Sequence, residues 1–255
     1  MSLLSDIASS VASYPQAIQL VRKHKLGGLL ILSFFLYLLL AGLSVYLIWL
    51  SYDELQNWLL ASHWVQTKLS WLYKYEWIVS STKIGLFLST IFVFISIFKF
   101  VFLAIASPLF AYISERTAEV INQRSYPFNG AQFVKDIFRG ILISMINLAR
   151  QLLFTGLMIL LSFVPVVGWF FNFLIIIIDA YYYGFSMLDY NCERHKMSVS
   201  SSRKYISERR GLAIGNGIVA VLSLFIPIIG IILVAPLSVI AATHSFYKQY
   251  PNVKS

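Results

Sequence analysis

Very few residues in this 255-residue chain have the type and spacing that chemistry needs. Lys23 and Lys25 stand just before Gly27–Gly28, where an uncharged apolar run begins. The first amides of a helix have no carbonyl of their own helix to bond, so they face outward as donors. Glycines there let an anion approach closely, and nearby lysines add positive charge. Lys23, Lys25, Gly27 and Gly28 therefore form a candidate anion cradle. The plainer alternative is that the two lysines anchor a membrane segment at its cytoplasmic edge. Asp179 is the carboxylate set inside a long apolar run, just before Tyr181, Tyr182 and Tyr183. Such a group is either part of an ion pathway or half of an ion pair, with Arg139 or Arg150 as its partner. Glu115 and Glu119, in a charged stretch between apolar segments, are further pathway or ion-pair candidates.

Catalytic constellations are missing. The sequence holds no HExxH, no GxSxG and no Walker loop. Its four histidines, His24, His63, His195 and His244, are scattered away from carboxylates at ligand spacing. His195, in the stretch Glu193–Lys196, is expected to be a solvated surface residue, and Ser198–Ser202 a polar loop. A single cysteine, Cys192, excludes an internal disulfide and a cysteine-based zinc site. No enzyme activity, metal or cofactor is expected.

The elements that must position these residues are membrane elements. Hydrophobic residues make up 58% of the chain and charged ones 12%, with mean hydropathy +0.75; soluble domains hold about 45–50% and about 25%. Met1–Val21 is mildly amphipathic and reads as an interfacial helix or a loose N-terminus, so residues 1–26 form a cytoplasmic amphipathic segment. Residues 27–50 carry no charge and span about 36 Å as helix, enough to cross a bilayer. A second span covers 84–106, broken by Lys99, whose stem can reach the interface. Between them, 51–83 is rich in Trp and Tyr, as headgroup-zone segments are. Residues 107–150 mix charged and apolar positions, with a turn at Tyr126–Gly130 dividing two helices and Pro108 ending or bending the span.

Two later breaks share the pattern Phe-x-Pro-x-x-Gly: Phe163, Pro165 and Gly168, then Phe225, Pro227 and Gly230. Pro removes a helix donor and Gly permits chain reversal, so each break reads as the tip of a helical hairpin, 151–188 and 212–247. The arms entering the tips, 151–164 and 212–226, reach about 21–22 Å as helix, short of a hydrocarbon core of about 30 Å. Hairpins that dip partway and return fit those lengths; tilted spanning pairs are the alternative. Non-helical backbone at such depth needs partners from protein or a wet cavity.

Sixteen of the twenty Lys and Arg residues fall on one side of this arrangement. They lie in the N-terminal segment, in 107–150, in the connector 189–211 and in the tail. The net charge of +9 is thus a topology signal rather than a nucleic-acid footprint. Both termini are expected in the cytoplasm.

From Ala106 to Tyr247 the sequence resembles the CysZ family of sulfate permeases and the related etoposide-induced membrane proteins. The features that carry it are Ala106–Ser107–Pro108–Leu109 leading to Glu115 and Glu119, then Val164–Gly168, Leu188–Asp189–Tyr190 with His195–Lys196, Ser207–Arg210, Ile226–Gly230, Val234–Leu237 and Ala241–Thr243. The resemblance implies an all-helical integral membrane protein with two long transmembrane helices and two partly penetrating hairpins. It also implies a dimer or larger oligomer in the inner membrane that passes sulfate inward for cysteine synthesis. Its partners are then membrane lipids and a small inorganic anion. The chain departs from the family's pattern at Leu29–Leu30, where the resemblance would place two arginines, and at Asn191 in place of proline. A non-transporting membrane interaction protein on the same scaffold is the alternative.

Overall fold

The computed structural model describes residues 2–61, 67, 98, 101–102, 104–124, 130–162, 168–223 and 229–249. Regular structure among them is helical: α1 (Leu3–Lys23), α2 (Gly27–Ala61), α3 (residues 104–122), α4 (Gly130–Ser162), α5 (Gly168–Arg194), α6 (Val199–Glu208), α7 (Arg210–Ser223) and α8 (Ile229–Gln249). The chain divides into two units, one of Met1–Leu36 with Leu103–Ser255 and one of Tyr37–Phe102. Within the smaller unit, Tyr37 meets Phe98 and Phe102 edge-on, with ring centroids 5.7 and 5.4 Å apart.

Helix ends follow from local chemistry. Ser2 caps α1 by accepting from Ser5 N at 3.3 Å, and Ser198 caps α6 by accepting from Ser201 N at 3.2 Å. Three helices end on a residue with positive φ: Lys25 after α1, Gln123 after α3 and Lys196 after α5. In each, the next amide reaches back five residues, Leu26 to Val21, Arg124 to Glu119 and Met197 to Cys192. That bond defines a Schellman ending, here built without glycine. Ser198–Ser202, expected as a loop, instead starts a helix, because Ser198 supplies the cap and Ser202 and Ile206 are buried.

Several expected boundaries shift. Gly27–Leu50 is long and apolar enough to cross a membrane, but α2 runs on without a Pro or Gly break to Ala61. Pro108 sits within α3 rather than ending it. The arm expected to begin at Gln151 is the last part of the 33-residue α4, whose segment Phe138–Met158 is also long and apolar enough to cross. Gly168 opens α5 and Gly230 is the second residue of α8, so each lies in the returning helix rather than in the break. Pro165, Pro227, most of 84–106 and nearly all of 62–83 lie outside the described residues.

Packing in the larger unit rests on three kinds of contact. Where α5 crosses α7, Ala180, Gly184, Ala213 and Gly217 bring the backbones together; a Cβ on Gly217 would overlap the Ala180 carbonyl, and one on Gly184 the Ala213 carbonyl. Small residues four apart allow this approach. Between α4 and α5 run polar bridges in antiparallel register: Arg139 to Asp189, Asn147 to Ser186 and Gln151 to Asp179. Helix α1 has its polar face inward. Ser10 donates to Leu212 O, Tyr14 to Asn216 O and Gln249 to Asp6, while Leu4, Val11 and Ile18 face outward. The fully buried core holds Phe110, Ile113, Met187, Ile206, Leu212, Ile240 and Phe246. Cys192 is buried there too.

Candidate functional site

The corner between α1 and α2 faces α3 across an open cleft of about 430 Å³. One wall is His24, Lys25, Leu26, Gly28 and Leu29; the other is Tyr112, Arg116, Glu119 and Val120. The corner is shaped by Lys25, whose positive φ of 55° turns the chain, and by Leu26, which is buried beneath it. This turn sets the first amides of α2 and the Lys25 ammonium at the same end of the helix. Neither Gly27 nor Gly28 would crowd a neighbour with a Cβ, so the space above this helix start is open. Of the four residues expected to cradle an anion, Lys25 and Gly28 line the cleft; Lys23 and Gly27 do not.

Arg116 comes from the opposite wall. Its Nε donates to Tyr112 Oη at 2.9 Å, and its Nη1 pairs with Glu119 at 2.7 Å. Hydrogen bonds to Tyr112 and then to Glu119 hold the guanidinium's proton more tightly than usual. Arg116 is 49% exposed and Glu119 14%, so the cation faces the open side while the carboxylate sits deeper. Tyr112, Arg116, Glu119 and Val120 share one helical face, a spacing readable in the sequence; what lay across from them was not. Glu115, one position off that face, is half-buried and does not line the cleft. Leu29 occupies the wall at a position where the resemblance would put arginine, and Arg116 brings a guanidinium from the facing helix instead.

The remaining candidates lie elsewhere. Arg139 forms an ion pair, but its partner is Asp189 at 3.0 Å, not Asp179. Asp189 is buried, also accepts from Ser202 Oγ, and Arg139 donates onward to Met197 O. One buried carboxylate thereby ties α4, α5 and the start of α6. Asp179 accepts from Gln151 Nε2. Arg150, beside Gln151 on α4, is half-buried. A further cluster joins Ser114 to Thr243 at 3.1 Å and Arg194 to Tyr247 at 3.1 Å, with Arg194 also donating to Ser114. His195, expected to be solvated, stacks on Phe246 at 5.5 Å, and burial followed by the Arg194 charge lowers its pKa.

This arrangement can hold an anion through an ammonium, a guanidinium and helix-start amides. The family model described as "Sulfate transporter CysZ/Etoposide-induced protein 2.4" matches residues 13–235. The chain is 28% identical over 190 residues to the sulfate transporter CysZ of Pseudomonas aeruginosa, in strains LESB58 and PAO1. It is 27% identical over 190 residues to that of Pseudomonas paraeruginosa strain PA7. Each match covers 71% of this chain and 75% of the relative. With the cleft, the apolar helices and a family match over most of its length, the chain belongs to the CysZ/etoposide-induced protein family of membrane proteins.

Proposed function

We propose that the chain is an inner-membrane permease for a small inorganic oxyanion, with sulfate the first candidate, feeding cysteine synthesis. The observation that carries this reading is the cleft in which Lys25 and Arg116 flank the start of α2. The names of the Pseudomonas relatives supply the candidate anion. On this reading both termini are cytoplasmic, the cleft receives the anion at the cytoplasmic end of α2, and the arms α4–α5 and α7–α8 are two hairpins lining the path. Asp179 stands along that path with Gln151 as its partner. Homo-oligomers and lipid contacts along the exposed face of α2 belong to the same proposal.

The test is uptake of labelled sulfate by liposomes holding the purified protein. Uptake equal to that of empty liposomes, across pH and imposed gradients, rejects transport. The informative variant is Lys25→Gly, which removes the ammonium while relieving a left-handed residue of roughly 1 kcal/mol of strain. Combined with Arg116→Ala, it should abolish sulfate-dependent thermal stabilisation without lowering the unfolding midpoint in the absence of anion. A second reading, a non-transporting scaffold that holds anionic lipid headgroups, draws on Leu29 and Leu30 standing where arginines are expected. A stoichiometric protein partner co-purifying, with no anion flux, would favour it.

A further inference from the structure

Two groups on α3 hold the Arg116 guanidinium in place. Tyr112, four residues before it, accepts from Nε at 2.9 Å, and Glu119, three residues after it, accepts from Nη1 at 2.7 Å. Residues three and four apart meet on one helical face, so a single helix supplies both anchors. Among the described residues, Nη2 has no partner. Turning the guanidinium breaks one of the two bonds, so its remaining N–H groups keep one direction. A phenol oxygen accepts hydrogen bonds and also donates its one proton. Arg116 Nε already donates to Tyr112 Oη, so the Tyr112 proton goes elsewhere. No described residue takes it, and Tyr112 is 36% exposed on the cleft wall. The Nε and Nη2 edge of a guanidinium presents two parallel N–H groups, the fork that grips both oxygens of a carboxylate. Here Tyr112 Oη fills the Nε side of that fork. An oxygen accepting from Nη2 on the same edge stands beside Oη, within reach of the phenol proton.

We infer that Tyr112 is an anion ligand, its hydroxyl donating to an oxygen of the bound oxyanion while its own oxygen holds Arg116 Nε. This rests on the cleft being the anion site, as proposed above. The Lys25 ammonium, the first amides of α2, Arg116 Nη2 and the Tyr112 hydroxyl are all donors. A fully ionised tetrahedral oxyanion such as sulfate offers only acceptors, so every one of these contacts is matched. The phosphate of an anionic lipid headgroup shares that chemistry, and competition between the two separates them.

The experiment measures sulfate binding and sulfate-dependent thermal stabilisation of the purified full chain, in the natural protein, Tyr112→Phe, Arg116→Lys and the double variant. Tyr112→Phe keeps the ring and removes the hydroxyl. It should weaken sulfate about fivefold, the scale of one hydrogen bond partly shared with water. Its unfolding midpoint without anion should equal that of the natural protein, because the Tyr112–Arg116 bond lies at an exposed surface. A residue that only positioned Arg116 would act through Nε, and lysine has none. The decisive value is therefore the effect of Tyr112→Phe within Arg116→Lys, where a further loss of about threefold is expected. No effect of Tyr112→Phe in the natural background, or an effect that vanishes within Arg116→Lys, overturns the inference and leaves the anion site standing. No stabilisation of the natural protein by sulfate, selenate or molybdate removes the site as well. Phosphatidylglycerol should not displace sulfate; displacement would give the Tyr112 hydroxyl to a lipid phosphate and overturn its assignment to a dissolved anion.

Discussion

Helix α5 meets its neighbours in two opposite ways. Against α7 it presents Ala180 and Gly184, and backbone lies on backbone with no side chain between. Against α4 it presents Asp179, Ser186 and Asp189, and the helices are joined through polar side-chain bridges. A backbone contact has no rotamers through which to yield, so it holds one geometry. Side-chain bridges can exchange partners while the helices slide. The α5–α7 crossing is therefore the fixed frame of the larger unit, and the α4–α5 seam is where an arm can move. Both solutions suit a lipid environment, in which burial of apolar surface supplies little attraction between helices and close packing and hydrogen bonds take its place.

The hardest blow to this contrast is Gly217→Leu. Overpacking normally costs about 1–3 kcal/mol where side chains can shift; here the Ala180 carbonyl cannot, and loss of monodisperse protein on size exclusion is expected. Gly156→Ala on α4, whose Cβ would meet nothing, is the matched control and should behave as the natural chain does. If both are tolerated, the fixed-frame reading of α5–α7 is wrong. Arg139→Ala comes next. It leaves Asp189 buried without its guanidinium, a change of about 3–5 kcal/mol. Arg139→Leu with Asp189→Leu should recover much of that loss in denaturant unfolding, since removing both charges removes the unpaired one. A double variant as unstable as the single would show that the seam depends on the charges themselves.

The smallest effect probes the end of α5 where His195 stacks on Phe246. Its folded pKa lies below the ordinary value of 6.5. The unfolded chain therefore takes up the proton first. The stability contributed by neutral His195 is complete above about pH 6.5 and is lost as pH falls from there through the folded pKa. His195→Gln should flatten this part of the profile of midpoint against pH. An unaltered slope would assign the acid sensitivity to another group.

Parts of this organisation follow from residue order alone. The uncharged run after Lys25 specifies a helix of membrane length, and glycines at its start mark an end that an anion can approach. Arg116 could not be placed opposite that end without the fold, although its alignment with Tyr112 and Glu119 on one helical face was there to be read. The Arg139–Asp189 pair joins residues fifty positions apart, and its register depends on how α4 and α5 cross. Asp179 was the more conspicuous carboxylate because it stands in an apolar run, yet the buried pair formed one turn beyond that run. The Schellman endings at Lys25, Gln123 and Lys196 carry no marker in the sequence, because glycine, the usual one, is absent from all three. Ser198–Ser202 looked like a loop because serine favours turns, and the same preference made Ser198 a helix cap.

Cys192 lies in the basic connector, and its thiol is pushed up to about 12, by burial first and by the Asp189 charge second. Only the thiolate reacts, and a thiol buried in this way is both protonated at neutral pH and shielded from a reagent in solvent. The natural chain thus serves as its own silent background for maleimide labelling. A cysteine introduced at any single position can be read directly from either side of the membrane, with no native residue removed first.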